Sequence, residues 1–166
     1  MNDTRFSTAI HMLVLVSEAK DPMSSEQIAA SVGTNASHVR KLATLLRRAN
    51  VIESRRGAAG FRLVPSPEDL TLLDVYQAVC ESERVRVFEA HRNPNDECIV
   101  DRHIRPVLDG LFAEASEAVT RDLASRTLAD CIARLRSHAR AAGDAEPAAR
   151  KPTATHAAKG QANVTR

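Results

Sequence analysis

Apolar residues recur at helical spacing from the start of the chain. Phe6, Ala9, Ile10, Leu13 and Val16 share one face of a helix predicted over residues 5–19, which Asp21-Pro22 brings to a stop. A second helix opens at Ser24-Ser25-Glu26-Gln27, where Ser24 as N-cap and Gln27 three residues on can form a capping box. Ile28, Ala29 and Val32 give it a buried side and Gly33 ends it. Gly33 and Thr34 alone separate it from Asn35, a good N-cap for a third helix from Ala36 to about Ala49. Val39, Leu42, Ala43, Leu46 and Ala49 face inward there, and Ser37, Arg40, Lys41, Thr44, Arg47 and Arg48 form the opposite stripe. Two short helices joined by a tight glycine turn, the second basic on its outer side, make a helix-turn-helix pattern.

The period then changes. Two β-prone runs, Val51-Ile52-Glu53-Ser54-Arg55 and Phe61-Arg62-Leu63-Val64, flank Arg56-Gly57-Ala58-Ala59-Gly60 and predict a hairpin. A hairpin directly after a recognition helix is a wing. Pro65-Ser66-Pro67 marks a boundary, and Leu72, Val75, Tyr76 and Val79 predict a short helix after Thr71. A polar loop around Asn93-Pro94-Asn95 leads to a long helix from about Val100 into the early 120s. Its seam is Ile104, Leu108, Leu111, Ala115 and Ala118, fading at Asp122, with Val107, Phe112 and Val119 widening it. Pro106 is expected in or near the first turn, where backbone N–H groups lack partners. A last helix from near Thr127 carries Leu128, Cys131, Ile132 and Leu135.

These elements predict a mainly α fold with a small β-hairpin wing. Residues 1–64 form a winged helix-turn-helix, 65–98 a connecting helix and loop, and 99–138 a long helix and a terminal helix. Residues 139–166, rich in Ala, Pro and Lys/Arg without apolar periodicity, are expected to be a disordered basic tail.

Composition sharpens the picture in two places. Aromatics are 3 % of the chain and Trp is absent, so the core must be aliphatic, which suits helices. The net charge of +2 is unevenly spread. Residues 1–64 carry nine Lys/Arg against five Asp/Glu, residues 65–138 nine against fourteen, and the remainder five against two. A basic head on an acidic body points to a polyanion partner. The early apolar run from Ala9 to Val16 contains His11 and is too short for a bilayer, and it lacks the flanks of a signal peptide. A cytoplasmic protein without membrane contact is expected. Cys80, Cys98 and Cys131 lie far apart and are odd in number, so no disulfide framework is read.

Candidate chemistry concentrates between Arg40 and Arg62, where seven basic residues face one acid, Glu53. Cations on a helix face and an adjoining hairpin neutralise several phosphates at once and release counterions. Ser37, His38, Arg40 and Lys41 occupy the first turns, where a major-groove helix meets base edges; Thr44 and Arg47 extend the stripe. Arg55 and Arg56 suit a minor groove. Taken singly, each is an ordinary solvated side chain, and His38 can simply hydrogen-bond near the helix start; the argument is their order and spacing. No phosphate-cradling glycine loop, Gly-x-Ser-x-Gly or His-Glu-x-x-His is present, and the scattered later carboxylates look like solvated faces, so an enzyme is not expected. The rival class is a winged-helix module that regulates a partner protein with little DNA affinity; salt-dependent DNA binding distinguishes the two.

The succession of Ser24-Ser25-Glu26-x-Ile28-Ala29, the Asn35-capped helix with Val39-x-x-Leu42-x-x-Leu45-Leu46, Arg55 to Leu63, and Pro67-Glu68-Asp69-Leu70-Thr71-Leu72-Leu73-Asp74-Val75 resembles the Rrf-two family of winged-helix transcription regulators. His91-x-Asn93-Pro94-Asn95-x-x-Cys98-x-Val100 is similar to its YwnA-like branch. The likeness spans about residues 3–137 and implies a regulator of double-stranded DNA, a repressor more readily than an activator. It also implies a homodimer built on the long helix through Ile104, Leu108, Leu111 and Ala115, acting on a roughly palindromic operator.

Two departures from the pattern matter. The wing usually reads Arg-Gly before Gly-Gly-Tyr; here Arg56, Ala59 and Phe61 stand at the changed positions. Members that bind an iron–sulfur cluster carry three closely spaced cysteines before the long helix, and this loop has Cys98 alone, so no cofactor is expected. A zinc site from His91, Cys98 and His103 with Asp96 or Glu97 is irregularly spaced, and no metal is read. Cys98 itself, ahead of a helix N-terminus that favours thiolate, is either a redox-responsive thiol or an inert one under the loop. Cys80 and Cys131 fall on apolar helix faces and are read as core residues. An oxidant or a small molecule is the expected effector class.

Overall fold

A computed structural model describes residues 4–54, 60–91 and 98–144. Six helices and one hairpin follow in order: α1 Arg5–Glu18, α2 Ser25–Val32, α3 Ala36–Arg48, β1 Ile52–Ser54, β2 Phe61–Leu63, α4 Leu72–Cys80, α5 Ile99–Ser125 and α6 Leu128–Ala141. Four of these six helices, α2, α3, α4 and α6, begin at a capping side chain. Ser24 Oγ accepts from the Gln27 amide while the Gln27 side chain accepts from the Ser24 amide, the expected reciprocal box. Asn35 Oδ1 accepts from the His38 amide at 2.8 Å. Thr71 with Asp74, and Thr127 with Asp130, repeat the box at α4 and α6. The turn between α2 and α3 requires Gly33, whose φ of 76° is left-handed and lets its N–H reach the Ala29 carbonyl.

The core is drawn from both ends of the described chain, with α5 left out of it. Met12 and Leu13 of α1, Ile28 of α2, Leu42 and Leu46 of α3, Ile52 of β1, Val75 and Val79 of α4 and Leu128 of α6 are all but sealed from solvent in one cluster. Met12 and Val14 join the expected face of α1, so that helix is buried over more than one stripe. Phe6 meets Tyr76 edge-to-face, ring centroids 5.4 Å apart. Residue 64 is therefore a boundary of elements but not of the core. Ala49, expected inside α3, is exposed.

β1 and β2 pair antiparallel with Ile52 opposite Leu63, Glu53 opposite Arg62 and Ser54 opposite Phe61. The Phe61 amide also donates to the Met23 carbonyl at 3.0 Å, pinning the hairpin to the segment between α1 and α2. Gly60 precedes that contact with φ 139°, and a Cβ there would lie 2.5 Å from Pro22 Cβ.

The C-terminal part departs from expectation in several places. Pro106 lies inside α5, two turns past its start, where its ring denies the Arg102 carbonyl a helical donor. Phe112 turns away from the expected seam to pack on Phe88, centroids 5.3 Å apart. In α6, Leu135 is exposed rather than buried, and the helix runs to Ala141, past residue 139 where a tail was expected to begin. Cys80 and Cys131 are half-buried against the core. Backbone bonds from Leu72 to Arg126 and from Leu128 to Leu70, each 2.9 Å, tie the starts of α4 and α6 side by side. Arg136 of α6 then donates to both carboxylate oxygens of Glu18, at 3.0 and 3.2 Å, at the end of α1. No helix among the described residues is long and apolar enough to cross a membrane.

Candidate nucleic-acid interface

α3 contains no Asp or Glu and carries Arg40, Lys41, Arg47 and Arg48. Its buried side, Val39, Leu42, Ala43 and Leu46, locks the helix onto the core, which leaves Ser37, Arg40, Lys41, Thr44, Arg47 and Arg48 exposed along the other side. At 1.5 Å per residue the stripe from Ser37 to Arg48 is about 17 Å long, and the major groove of duplex DNA admits a helix of this kind. Lys41, Arg47 and Arg48 have no ion-pair partner among the described residues. β1 and β2 follow α3 directly and present Arg62 to solvent. Arg55 and Arg56 lie outside the described residues, as do Asp96 and Glu97 in the second loop and the chain beyond residue 144.

Not every candidate in the stripe is free. Thr44 Oγ1 donates to the Arg40 carbonyl at 2.9 Å, so its hydroxyl proton is already used. His38 is half-buried, and its described bond is through the backbone amide that Asn35 caps. Arg40 is joined to Glu26, the second residue of α2, in an ion pair that the sequence reading missed. Both side chains are more than half exposed, at 58 % and 61 %. The Glu26 carboxyl is held below the ordinary range, first by its own backbone amide, then by the Ser24 side chain, with Arg40 and Ser25 adding to the effect. Because its pKa is lowered, the carboxylate and hence the pair persist above the ordinary Glu range and are lost only as pH falls through the lowered value. A basic residue fourteen positions after the glutamate of a box-opening Ser-Ser-Glu is a faint signal, since only the packing of α2 against α3 brings the two together.

α5 has no buried residue although it is 27 residues long. At about 100° per residue, Val100, Ile104, Val107, Leu108, Leu111, Ala115 and Ala118 occupy one arc of about 100°. Within it Val100, Val107 and Leu111 are more than half exposed, and Ile104, Leu108 and Ala115 are half-buried. The opposite side of α5 meets residues 84–90 around a cleft of about 790 Å³, lined by Val85, Phe88, Phe112 and Ser116 with Arg86 and Arg105 at its margin.

Cys98 is exposed as the residue before α5 and makes no side-chain cap bond. Cys80 lies in α4, Cys131 in α6, and residues 92–97 of the sequence hold no cysteine. Among the described residues no three His, Cys, Asp or Glu side chains gather to hold a metal.

A capped, glycine-linked helix pair with an acid-free outer helix, followed at once by a hairpin pinned to the same core, defines a winged helix-turn-helix regulator. The comparisons with known proteins give that class its family. Residues 2–134 match the model of Rrf2, described as iron-dependent transcriptional regulators. YwnA of Bacillus subtilis, an HTH-type transcriptional regulator by name, is 40 % identical over 132 residues, covering 80 % of this chain and 97 % of YwnA. A crystal structure described as that of a DNA-binding protein is 38 % identical with a TM-score of 0.63, covering 77 % of this chain and 98 % of its own. The global cysteine regulator CymR of B. subtilis shares the fold at 20 % identity and a TM-score of 0.61, covering 81 % of this chain and 97 % of its own. The chain belongs to the Rrf2 family, whose members are transcriptional regulators and not enzymes.

Proposed function

We propose that the chain is a DNA-binding repressor that acts as a homodimer on a roughly palindromic operator. The observation that carries the reading is the outer side of α3, with four cations, no acid and its inner side locked to the core. Ser37, Arg40 and Lys41 lie where base edges are read, with His38 beside them. Thr44 and Arg47 continue along the groove, and Arg55 and Arg56 of the wing contact the backbone or a minor groove. The double variant Lys41→Ala/Arg47→Ala tests this. Both side chains are exposed, so the fold should hold, while operator affinity drops and the slope of log K against log salt falls by roughly 1–2. An unchanged salt slope with intact folding would leave the chain as a module that binds a protein instead.

The dimer is supported by the exposed arc of α5. A second copy laid along it covers Val100, Val107 and Leu111, which water otherwise faces. The two recognition helices would then address half-sites about one helical turn, or a multiple, apart.

Control is proposed to run through Cys98, at the junction of the loop and α5. Its thiolate attacks a disulfide such as oxidised glutathione, forming a mixed disulfide and releasing one glutathione thiol. The adduct sits where the reading head joins the dimer helix. A tenfold change in operator affinity needs only about 1.4 kcal/mol of difference between two states. Operator binding by wild type and Cys98→Ser, each before and after oxidised glutathione, should show a response in wild type alone. Equal responses would move the control to a small-molecule effector, for which the cleft beside Phe88 and Phe112 has a suitable volume.

A further inference from the structure

We propose that Glu26 is a specificity-determining positioning residue: it holds Arg40 in place to read a base edge and keeps it off the phosphates. The inference rests on the reading of α3 as the recognition helix and deepens it at one residue pair.

Three observations support it. Arg40 Nη2 donates to Glu26 Oε1, so α2 and α3 are joined across the turn of the motif by their exposed side chains. The second carboxylate oxygen, Oε2, accepts from Ser25 Oγ at 3.3 Å, so the carboxylate is held by its own helix end as well as by the arginine. Glu26 is also the only acid in α2, and α3 has none, so the two helices of the motif share a single carboxylate.

The chemistry of arginine gives this arrangement its meaning. A free surface arginine swings through many rotamers and pairs with whichever phosphate is nearest, contributing affinity without information. A guanidinium with one N–H committed to a carboxylate keeps its plane fixed and still has donors for the two acceptors of a guanine edge. The carboxylate also repels phosphate and cancels much of the arginine's charge, so the pair adds little to sequence-independent binding. Arg47 and Arg48, further along the helix and without such partners, are left to supply that general attraction.

The test is a double-mutant cycle on the full-length protein, with duplexes carrying the selected operator, each single-base variant of it, and unrelated sequence. Glu26→Ala should raise affinity for unrelated DNA several-fold and lower discrimination about tenfold at one base pair per half-site. Arg40→Ala should lose the same discrimination, and it should also lose general affinity because it bares the carboxylate. Glu26→Ala/Arg40→Ala should recover that general affinity without recovering discrimination, so the two changes are strongly non-additive. Glu26→Gln, which keeps an acceptor for the guanidinium, should restore part of the discrimination, a rescue that a purely structural role would not give. If Arg40→Ala loses discrimination while Glu26→Ala keeps it at every base, the positioning role is overturned and the reading of α3 stands. If Arg40→Ala changes neither quantity, the positioning role falls, and the placing of Arg40 on the bases falls with it. Thermal unfolding of each variant, expected close to wild type for so exposed a pair, keeps folding separate from recognition.

Discussion

If the chain pairs along α5 as proposed, Leu111→Glu should leave it monomeric and lower operator affinity on the order of 100-fold or more. Leu111 lies mid-way along the exposed arc of α5 and is itself 55 % exposed. Within one subunit the change should therefore be nearly neutral, within about 0.5 kcal/mol, as for most surface substitutions. In a two-fold pair the same position meets its own copy or a near neighbour, so two carboxylates would be placed in an apolar seam. Losing the partner makes each half-site contact a separate bimolecular event and removes the effective concentration that links the two. Sedimentation gives the mass, and titration of an operator and of a single half-site gives the linkage. A variant that still sediments as a dimer would place the interface elsewhere.

Gly60→Ala should be the most damaging single-atom-scale change to stability, costing about 2–4 kcal/mol and lowering the melting temperature on the order of 10 °C. The glycine φ of 139° is a region that L side chains rarely occupy. A new Cβ would meet Pro22 Cβ at 2.5 Å, its carbonyl carbon at 2.6 Å and its oxygen at 2.8 Å. Two of those neighbours are backbone, and proline has the least freedom to yield. Relief requires the hairpin to lift from Met23, which costs the Phe61 amide its acceptor. Calorimetry on the variant, with DNA binding measured below its transition, separates a detached wing from an unfolded head. A melting temperature equal to wild type would mean that this close approach is relaxed in solution.

What the sequence disclosed was local. The capping box at Ser24, the Asn35 cap and the Gly33 turn are three- or four-residue signals, and the hairpin follows from a change of period. What escaped depends on packing over distance. Glu26 and Arg40 meet only because α2 crosses α3. Glu18 and Arg136, 118 positions apart, meet only once α6 has folded back. Phe112 has helical spacing compatible with the seam, yet the aromatic neighbour on the other side, Phe88, decides its direction. Pro106 stands two turns into α5, because the helix starts at Ile99, within one residue of the expected Val100, and continues through the proline. The cationic stripe was legible as composition on a helix face. Which of its members are already engaged was not, because Thr44 and Arg40 find their partners in the folded backbone and the neighbouring helix.

The return of α6 to the head has a consequence for the order in which the molecule is made. Leu128 and Ile132 belong to the same core as Leu13 and Ile28, and the bond from Leu128 to Leu70 closes the base of that core. The helix-turn-helix and its hairpin leave the ribosome before α5 and α6, yet their interior is incomplete until residues near 132 emerge. At about 5–20 residues per second, an apolar surface made for α6 stays open for several seconds during synthesis. A nascent or truncated chain ending within α5 would carry all of α3 with its hydrophobic base uncovered, and should aggregate or be degraded before it could occupy an operator.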